Sequence, residues 1–244
     1  IAAPQCFYIE AELKKRLHIP IMHDDQHGTA IVTLAGLINA CRVTGRNLTK
    51  SNVVIVGAGA AGVAIAKLLH QYAHPHIIAV DSKGIITNGR TDLNEEKKLL
   101  LTFGDKKQKD GSLADAVAGA DIFIGVSRSG LLTPAMVQTM AKDPIIFAMA
   151  NPEPEILPDL AKQAGAAVIA TGRSDYPNQV NNVLAFPGIF RGALDTNSPI
   201  TDAHKIAAAE AIASIVRSPN PEMIVPSALD DKVVRAVSAV FERK

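Results

Sequence analysis

The chain has 244 residues, of which 48% are hydrophobic and 20% are charged, and its formal net charge is +1. This length suits one large α/β domain or two small ones, and the balanced charge without a Lys/Arg cluster gives no footprint for nucleic acid. No apolar run of about 18 residues predicts a membrane span, and two cysteines are too few for a disulfide framework, so we expect a reducing, cytoplasmic compartment.

The first fifty residues are predicted to be helical on either side of a polar loop. Apolar residues at helical spacing over 1–18 predict a surface helix that Pro20 ends. Gly28 indicates that the polar stretch 23–29 is a loop, and Thr29 is a plausible cap for an apolar, buried helix over 30–41.

Asp24 and Asp25 stand side by side in this polar stretch. Adjacent carboxylates are costly to place together unless a cation or a hydrogen-bond network holds them, so both are metal or acid/base candidates. The alternative is a solvated turn with a helix cap. His23 and His27 lie four apart, as in His-Glu-x-x-His, but Asp replaces Glu and Gly28 disfavours a helix, which argues against a zinc-protease site.

A glycine-rich turn follows an apolar run over 53–56 that predicts a strand buried on both faces. Gly57 lets the chain turn, Gly59 lets the backbone approach a pyrophosphate, and Gly62 lets the next helix pack on the strand. N–H groups of that helix's first turn, at Ala60 and Ala61, would face the phosphates. The alternative is a turn of the same shape without a ligand.

A second apolar run over 77–80 ends in Asp81, where an acid would accept hydrogen bonds from the adenine ribose hydroxyls. The binding segment continues through Ser82 to Lys83. The carboxylate of Asp81 would repel a 2′-phosphate and favours NAD, whereas Lys83 could receive that phosphate from NADP. We expect NAD, with NADP as the alternative.

Further strands are predicted at 121–126, 145–149 and 167–170, with helices from Asp92, over 112–117, from Thr133-Pro134 and near 157–164. Five strands alternating with helices predict an α/β fold with a doubly wound, Rossmann-like parallel sheet and flanking N- and C-terminal helices. Ligands bind beyond the carboxyl ends of such strands. One rim of the sheet should therefore gather the segments 57–62, 81–83, 127–130, 151–155 and 171–175.

The last quarter departs from this alternation. Residues 173–192 are predicted to form an irregular functional loop, and helices over 202–217 and 230–241 should cover the apolar helix at 30–41. We predict three parts, which are a helical segment (1–48) linking to a missing N-terminal catalytic domain, a dinucleotide-binding domain (49–194), and C-terminal helices (195–244) packing on that domain.

Four segments resemble malic enzyme, specifically the C-terminal, cofactor-binding part of its short bacterial form. They are His-Asp-Asp-Gln-His-Gly-Thr-Ala at 23–30, Gly-Ala-Gly-Ala-Ala-Gly at 57–62, Ala-Asn-Pro-Glu-Pro-Glu at 150–155 and Asn-Asn-Val-Leu-Ala-Phe-Pro-Gly at 181–188. The resemblance covers nearly the whole chain. It implies an enzyme that oxidises L-malate with NAD or NADP, releases CO₂ to give pyruvate, uses Mg²⁺ or Mn²⁺, and forms a homodimer or higher homo-oligomer.

The resemblance also implies residue roles. Asp25 would be a metal ligand, with Asp24 its catalytic or orienting neighbour and a second metal candidate. Asn151 and Asn182 would hold the malate carboxylates, and the nicotinamide pocket would be lined by Thr29, Ser127 and Asn151. Taken alone, the residues favour an Asn-Pro turn at Asn151 and a loop cap at Asn182.

One departure concerns the catalytic groups. In the family, a Glu-Asp pair of metal ligands immediately precedes the segment corresponding to 1–4, and the general-acid Tyr and general-base Lys lie further upstream. Tyr8, Tyr72 and Tyr176 do not match that acid. Either the full protein is longer, or the chain is an inert dinucleotide-binding or regulatory module. A malolactic or oxaloacetate-decarboxylating relative would share the same motifs.

Overall fold

The computed structural model describes residues 4–104 and 108–242, so Ile1, Ala2 and Ala3 of the predicted first helix lie outside the described residues. No described helix is both long and apolar enough to cross a bilayer. The helices are α1 Gln5–Arg16, α2 Asp24–Thr44, α3 Ala60–Ala73, α4 Glu95–Leu101, α5 Leu113–Val117, α6 Pro134–Thr139, α7 Pro158–Gln163, α8 Phe186–Asp195, α9 Asp202–Ile215 and α10 Asp231–Ser238. The strands are β1 Asn52–Val56, β2 His76–Asp81, β3 Gly84–Ile85, β4 Ile122–Gly125, β5 Ile145–Ala148 and β6 Val168–Thr171, and short 3₁₀ turns cover Leu48–Lys50, Asn182–Leu184 and Ala239–Phe241.

The strands form one sheet in the order β3-β2-β1-β4-β5-β6. All neighbouring pairs are parallel except β2 and β3, which pair antiparallel through Val80 with Ile85 and Asp81 with Gly84. The predicted doubly wound sheet is confirmed, but the prediction of five strands missed β3. This two-residue edge strand exists because Gly84 adopts a φ of 112° and folds the chain back directly after Asp81.

Alternate strand residues face the two sides of the sheet, and each side has its own hydrophobic core. One core holds Ile55, Ile124 and Phe147 against α2, α3, α8 and α9, and the other holds Val54, Phe123 and Ile146 against α5, α6 and α7. Both faces of the sheet are therefore covered, which leaves its ends as the accessible edges.

Helix α2 is the central helix of the first core. It packs against α3 and α9, and Gly36 lies so close to the sheet that an added Cβ would be 2.9 Å from the ring of Phe147. Cys41 is buried as predicted and does not form a disulfide. Helix α9 covers α2 as expected, whereas α10 packs on α8 and α9.

Two predicted element boundaries were wrong. Helix α4 begins at Glu95 with Asn94 as its cap, because the Asn94 side chain accepts the Lys97 amide. The stretch 173–192 is not irregular throughout, since it contains a 3₁₀ turn and most of α8. Its ordered start depends on Asn178, whose side-chain amide nitrogen donates to the carbonyls of Ile169 and Pro221 at 2.9 and 2.7 Å.

We expect Asn39→Ala to lower the free energy of unfolding by about 1–3 kcal/mol, because it removes the side-chain donor to the buried carbonyl of Ile224 and leaves that of Ala213 with only the backbone amide of Val216. Asn39 is fully buried, and its amide nitrogen donates to the carbonyls of Ala213 and Ile224 at 2.9 Å each. Urea unfolding followed by circular dichroism measures the change. Ser214→Ala, on the exposed side of α9, is the control and should cost less than about 0.5 kcal/mol. Equal losses in the two variants would contradict the assigned role.

Candidate active site

Two of the three glycines in the 57–62 turn are required by the fold itself. Gly57 has a φ of 113°, and an added Cβ would lie 2.6 Å from the carbonyl oxygen of Val126. At Gly62 an added Cβ would lie 1.7 Å from the carbonyl oxygen of Gly57. A side chain at Gly62 would push α3 away from the end of β1, so the predicted roles of these two glycines are consistent with the packing.

Gly59 differs from its neighbours because nothing in the described part of the chain requires it to be a glycine. Its φ of −91° is open to any residue, it is exposed, and an added Cβ would meet no atom within 4 Å. It is the N-cap of α3, and no side chain caps this helix, so backbone N–H groups at Ala60 and Ala61 begin α3 at the open rim. The open space favours a ligand-binding turn over a glycine turn without a ligand.

Asp81 lies at the end of β2 as predicted, but its carboxylate already has partners. Arg90 donates to both oxygens at 2.8 and 3.0 Å, Lys97 donates at 2.6 Å, and the amide of Lys83 donates at 2.9 Å. Burial alone would raise the pKa of Asp81, but the hydrogen bonds from Arg90 and Lys97 outweigh it and lower the pKa to about 2. The sequence pattern does not indicate that Arg90 and Lys97 contact Asp81. They come together only because the chain turns back through the antiparallel strand β3.

A cleft of about 410 Å³ joins two of the predicted rim segments. Asp81, Ser82 and Lys83 line one wall, and Ser127 and Arg128 line the other. The ends of β2 and β4 flank β1, so this cleft opens beside the glycine turn. It has the position expected for the adenosine part of a dinucleotide in a doubly wound sheet.

Asp24 and Asn182, which are 158 residues apart, meet at the start of α2. The side-chain amide of Asn182 donates a hydrogen bond to Oδ2 of Asp24. The predicted loop at 23–29 was wrong because α2 begins at Asp24, and Thr29 is therefore inside the helix and not its cap. Gly28 lies inside this helix. It must be a glycine, because an added Cβ would lie 2.1 Å from Oδ1 of Asp24 and 3.0 Å from Cβ of Asn182.

The two adjacent aspartates differ in their environments. Burial, and then the charge of Asp25, raise the pKa of Asp24 to about 6. Oδ1 of Asp24 is buried and accepts no hydrogen bond from the described residues, whereas Asp25 is exposed. Carboxylate oxygens such as these are the type of ligand that Mg²⁺ and Mn²⁺ prefer. Within residues 4–104 and 108–242, however, no group of three His, Cys, Asp or Glu side chains could hold a metal ion, so further ligands are needed.

Glu10 on α1 holds the start of α2 in place. Its carboxylate contacts Nε2 of His27 at 2.9 Å, accepts the amide of His23 at 3.1 Å, and pairs with Lys14 at 2.8 Å. Burial alone would raise the pKa of Glu10, but the contacts with His27 and Lys14 lower it to about 2. His27 therefore points toward α1, which agrees with the sequence-based rejection of a His23–His27 zinc site.

The other predicted residues lie at the same end of the sheet. Ser127 and Asn151 are exposed, and they lie two and three residues beyond the ends of β4 and β5. The carbonyl of Thr29 accepts the hydroxyl of Thr33, which also lies 3.5 Å from the sulfur of Met149 at the end of β5. The first turns of α2 therefore lie over the end of β5, on the side of Asn151.

A doubly wound sheet with this glycine turn and this cleft is typical of a dinucleotide-binding domain. The particular family follows from comparison with known proteins, because residues 26–241 match the model of the malic enzyme NAD-binding domain. The chain belongs to this family. The resemblance seen in the sequence is thereby confirmed.

The relatives are longer than this chain. It is 57% identical to the bifunctional malic/malolactic enzyme of Bacillus subtilis over 98% of this chain and 59% of that protein. It is 48% identical to the NADP-dependent malic enzyme of Halomonas elongata over 92% of this chain and 53% of that protein. The crystal structure of NAD-dependent malic enzyme from Thermotoga maritima matches 99% of this chain and 64% of its own, with 46% identity and a TM-score of 0.95. The chain thus spans just over half the length of these curated relatives.

We expect Gly59→Ala to weaken dinucleotide binding by about tenfold or more, because a methyl group would occupy the space that a pyrophosphate needs. The fold should be unaffected, since the φ of −91° suits alanine and no protein atom is near. Calorimetric titration with NADH measures the affinity, and thermal unfolding checks the fold. Gly89→Ala, in an exposed turn, is the control. Unchanged NADH affinity in Gly59→Ala would contradict the assignment.

Proposed function

We propose that this chain is the cofactor-binding part, with a share of the metal and substrate site, of an enzyme that oxidatively decarboxylates L-malate to pyruvate and CO₂ while reducing NAD(P). The meeting of Asp24 with Asn182 at the start of α2 carries the proposal. It brings a candidate metal-site carboxylate and a candidate substrate amide together at the rim that presents the glycine turn. Close relatives named as malic enzymes support the same reading.

The chain's own residues would bind and orient the reactants. An amide nitrogen has two N–H donors, so Asn182 can hold Asp24 and a malate carboxylate at the same time. Asn151 would hold the second carboxylate, and with Thr29 and Ser127 it would line the nicotinamide pocket. Asp25, with Asp24 beside it, would hold the divalent cation. Mg²⁺ or Mn²⁺ supplies, when bound, the positive charge that stabilises the enolate formed as CO₂ leaves.

The remaining groups would come from sequence outside these 244 residues. We place two further metal ligands, a general-acid Tyr and a general-base Lys in an N-terminal domain there. The segment 1–48 would link that domain to the dinucleotide-binding domain. The relatives' greater length supports this placement, as does the lack of a third candidate ligand beside Asp24 and Asp25 in the described residues. We also propose a cytoplasmic homo-oligomer. Two buried cysteines without a disulfide are compatible with that compartment.

We expect the isolated 244 residues to bind NADH but not to turn over malate, because we place the general acid and the general base outside them. The test mixes the protein with malate, NAD or NADP, and Mn²⁺, and follows absorbance at 340 nm. In a longer protein that carries this chain, Asp25→Asn should lower kcat by about a thousandfold or more through loss of a metal ligand. Asp230→Asn, at the cap of α10, is the control. Full turnover by the isolated chain would contradict the proposal.

A malolactic outcome is a second candidate, because one relative is named a bifunctional malic/malolactic enzyme. Both reactions would begin with L-malate. Product analysis distinguishes them, since pyruvate indicates oxidative decarboxylation and lactate indicates the malolactic reaction.

The choice between NAD and NADP depends on the charges around Asp81. Arg90 also pairs with Asp92 at 2.9 Å, and Lys83 pairs with Asp92 at 2.8 Å. The three cations Lys83, Arg90 and Lys97 therefore outnumber the two carboxylates, which weakens the repulsion that Asp81 alone would exert on a 2′-phosphate. We propose that the site accepts NAD and also NADP, with affinities within about tenfold of each other.

We expect Arg90→Gln to weaken NADP binding by about tenfold relative to NAD. The change removes one positive charge, and the negative charge of Asp81 would then repel the 2′-phosphate more strongly. Calorimetric titration with both dinucleotides gives the ratio. Lys98→Gln is the matched control, since Lys98 also lies nearby in the chain but pairs with Glu95. An unchanged ratio in Arg90→Gln would show that the cluster does not set the preference.

A further inference from the structure

Glu155 is a fully buried carboxylate that connects the ends of two neighbouring strands. One carboxylate oxygen accepts the backbone amide of Ser127, after β4, and the other accepts the backbone amide of Ala150, after β5, at 3.0 Å each. The first amide belongs to the candidate site residue Ser127, and the second belongs to the residue directly before the candidate Asn151. A single side chain thus holds both loops.

The strands are shaped to receive this carboxylate. An added Cβ at Gly125 would lie 2.3 to 2.6 Å from the carboxyl atoms of Glu155, so the carboxyl group occupies the space that a side chain on β4 would need. The backbone adds two more connections, because Leu132 donates to the carbonyl of Glu155 at 3.0 Å and Gly130 donates to that of Pro154 at 3.2 Å. The loop at 151–155 is therefore anchored to the segment that follows β4 as well as to the end of β5.

Stability alone does not account for a carboxylate at this position. Burial raises the pKa of Glu155, and the amides of Ser127 and Ala150 only partly oppose it. An apolar side chain would avoid this desolvation cost. What the carboxylate provides, and an apolar group could not, is two acceptors at a fixed separation that set how far the loops after β4 and β5 lie from each other.

We propose that Glu155 is a positioning residue for the nicotinamide and substrate end of the site, which it maintains by fixing the backbone at Ser127 and next to Asn151. This role rests on the proposed function of the rim as a nicotinamide site. The adenosine end is held mainly by the glycine turn of α3 and by the wall of the cleft formed by residues 81–83, whereas Ser127 contributes only to the opposite wall. Disturbing Glu155 should therefore weaken binding of the nicotinamide half more than binding of the adenosine half.

The test compares NAD with ADP-ribose, which lacks the nicotinamide, in calorimetric titrations of the chain. Glu155→Gln has the same size but presents an NH₂ group to one of the two backbone donors, which removes one hydrogen bond. We expect about a tenfold loss of NAD affinity and a clearly smaller loss, of about threefold at most, for ADP-ribose. Glu153→Gln, an exposed residue of the same loop, is the matched control and should change neither affinity.

Glu155→Met is a second variant, because its unbranched apolar side chain suits a buried position and removes both acceptors. Thermal unfolding confirms that each variant is folded, and the NAD-specific loss should be larger in Glu155→Met than in Glu155→Gln. Equal losses for both ligands, or no loss for either, would overturn the positioning role. A wild-type chain that binds ADP-ribose but gains nothing from the nicotinamide would overturn the proposed function, and this role with it.

Discussion

The close contact between the first turn of α3 and the end of β1 sets the geometry of the whole rim. Only a glycine fits at Gly62, because the carbonyl of Gly57 occupies the position of a side chain. The helix therefore begins directly above the strand, with its N-terminal amides toward the open edge of the sheet. Gly59 lies between these two contacts and faces empty space, so the fold prepares a surface that a phosphate can approach.

A long buried helix carries the other half of the site. Helix α2 is anchored in the core by its packing against α3, α9 and the sheet, and its first turn bears Asp24 and Asp25. Glu10 fixes this turn from one side and Asn182 from the other. The candidate metal ligands Asp24 and Asp25 are therefore attached to the core and do not depend on a surface loop for their placement, which favours pre-organisation.

Three carboxylates around the rim have different roles because their surroundings differ. Asp81 is neutralised by Arg90 and Lys97, and its pKa falls to about 2. Asp24 is desolvated beside Asp25, and its pKa rises to about 6. Glu155 is buried against backbone amides, and it fixes the separation of the loops after β4 and β5. The residue type alone does not distinguish these three cases.

The sequence by itself determined the parallel strands, the glycine turn and the rim segments, because apolar runs and the steric freedom of glycine are local properties. It also indicated that Asp24 and Asn182 matter, through resemblance to a family. The tertiary structure decided that α2 starts at Asp24, that Arg90 and Lys97 cover Asp81, and that Glu155 joins two strand ends. Each of these three features depends on contacts between residues that are distant in the chain or that a turn of the chain brings together. The local spacing of residues does not show which of these contacts form.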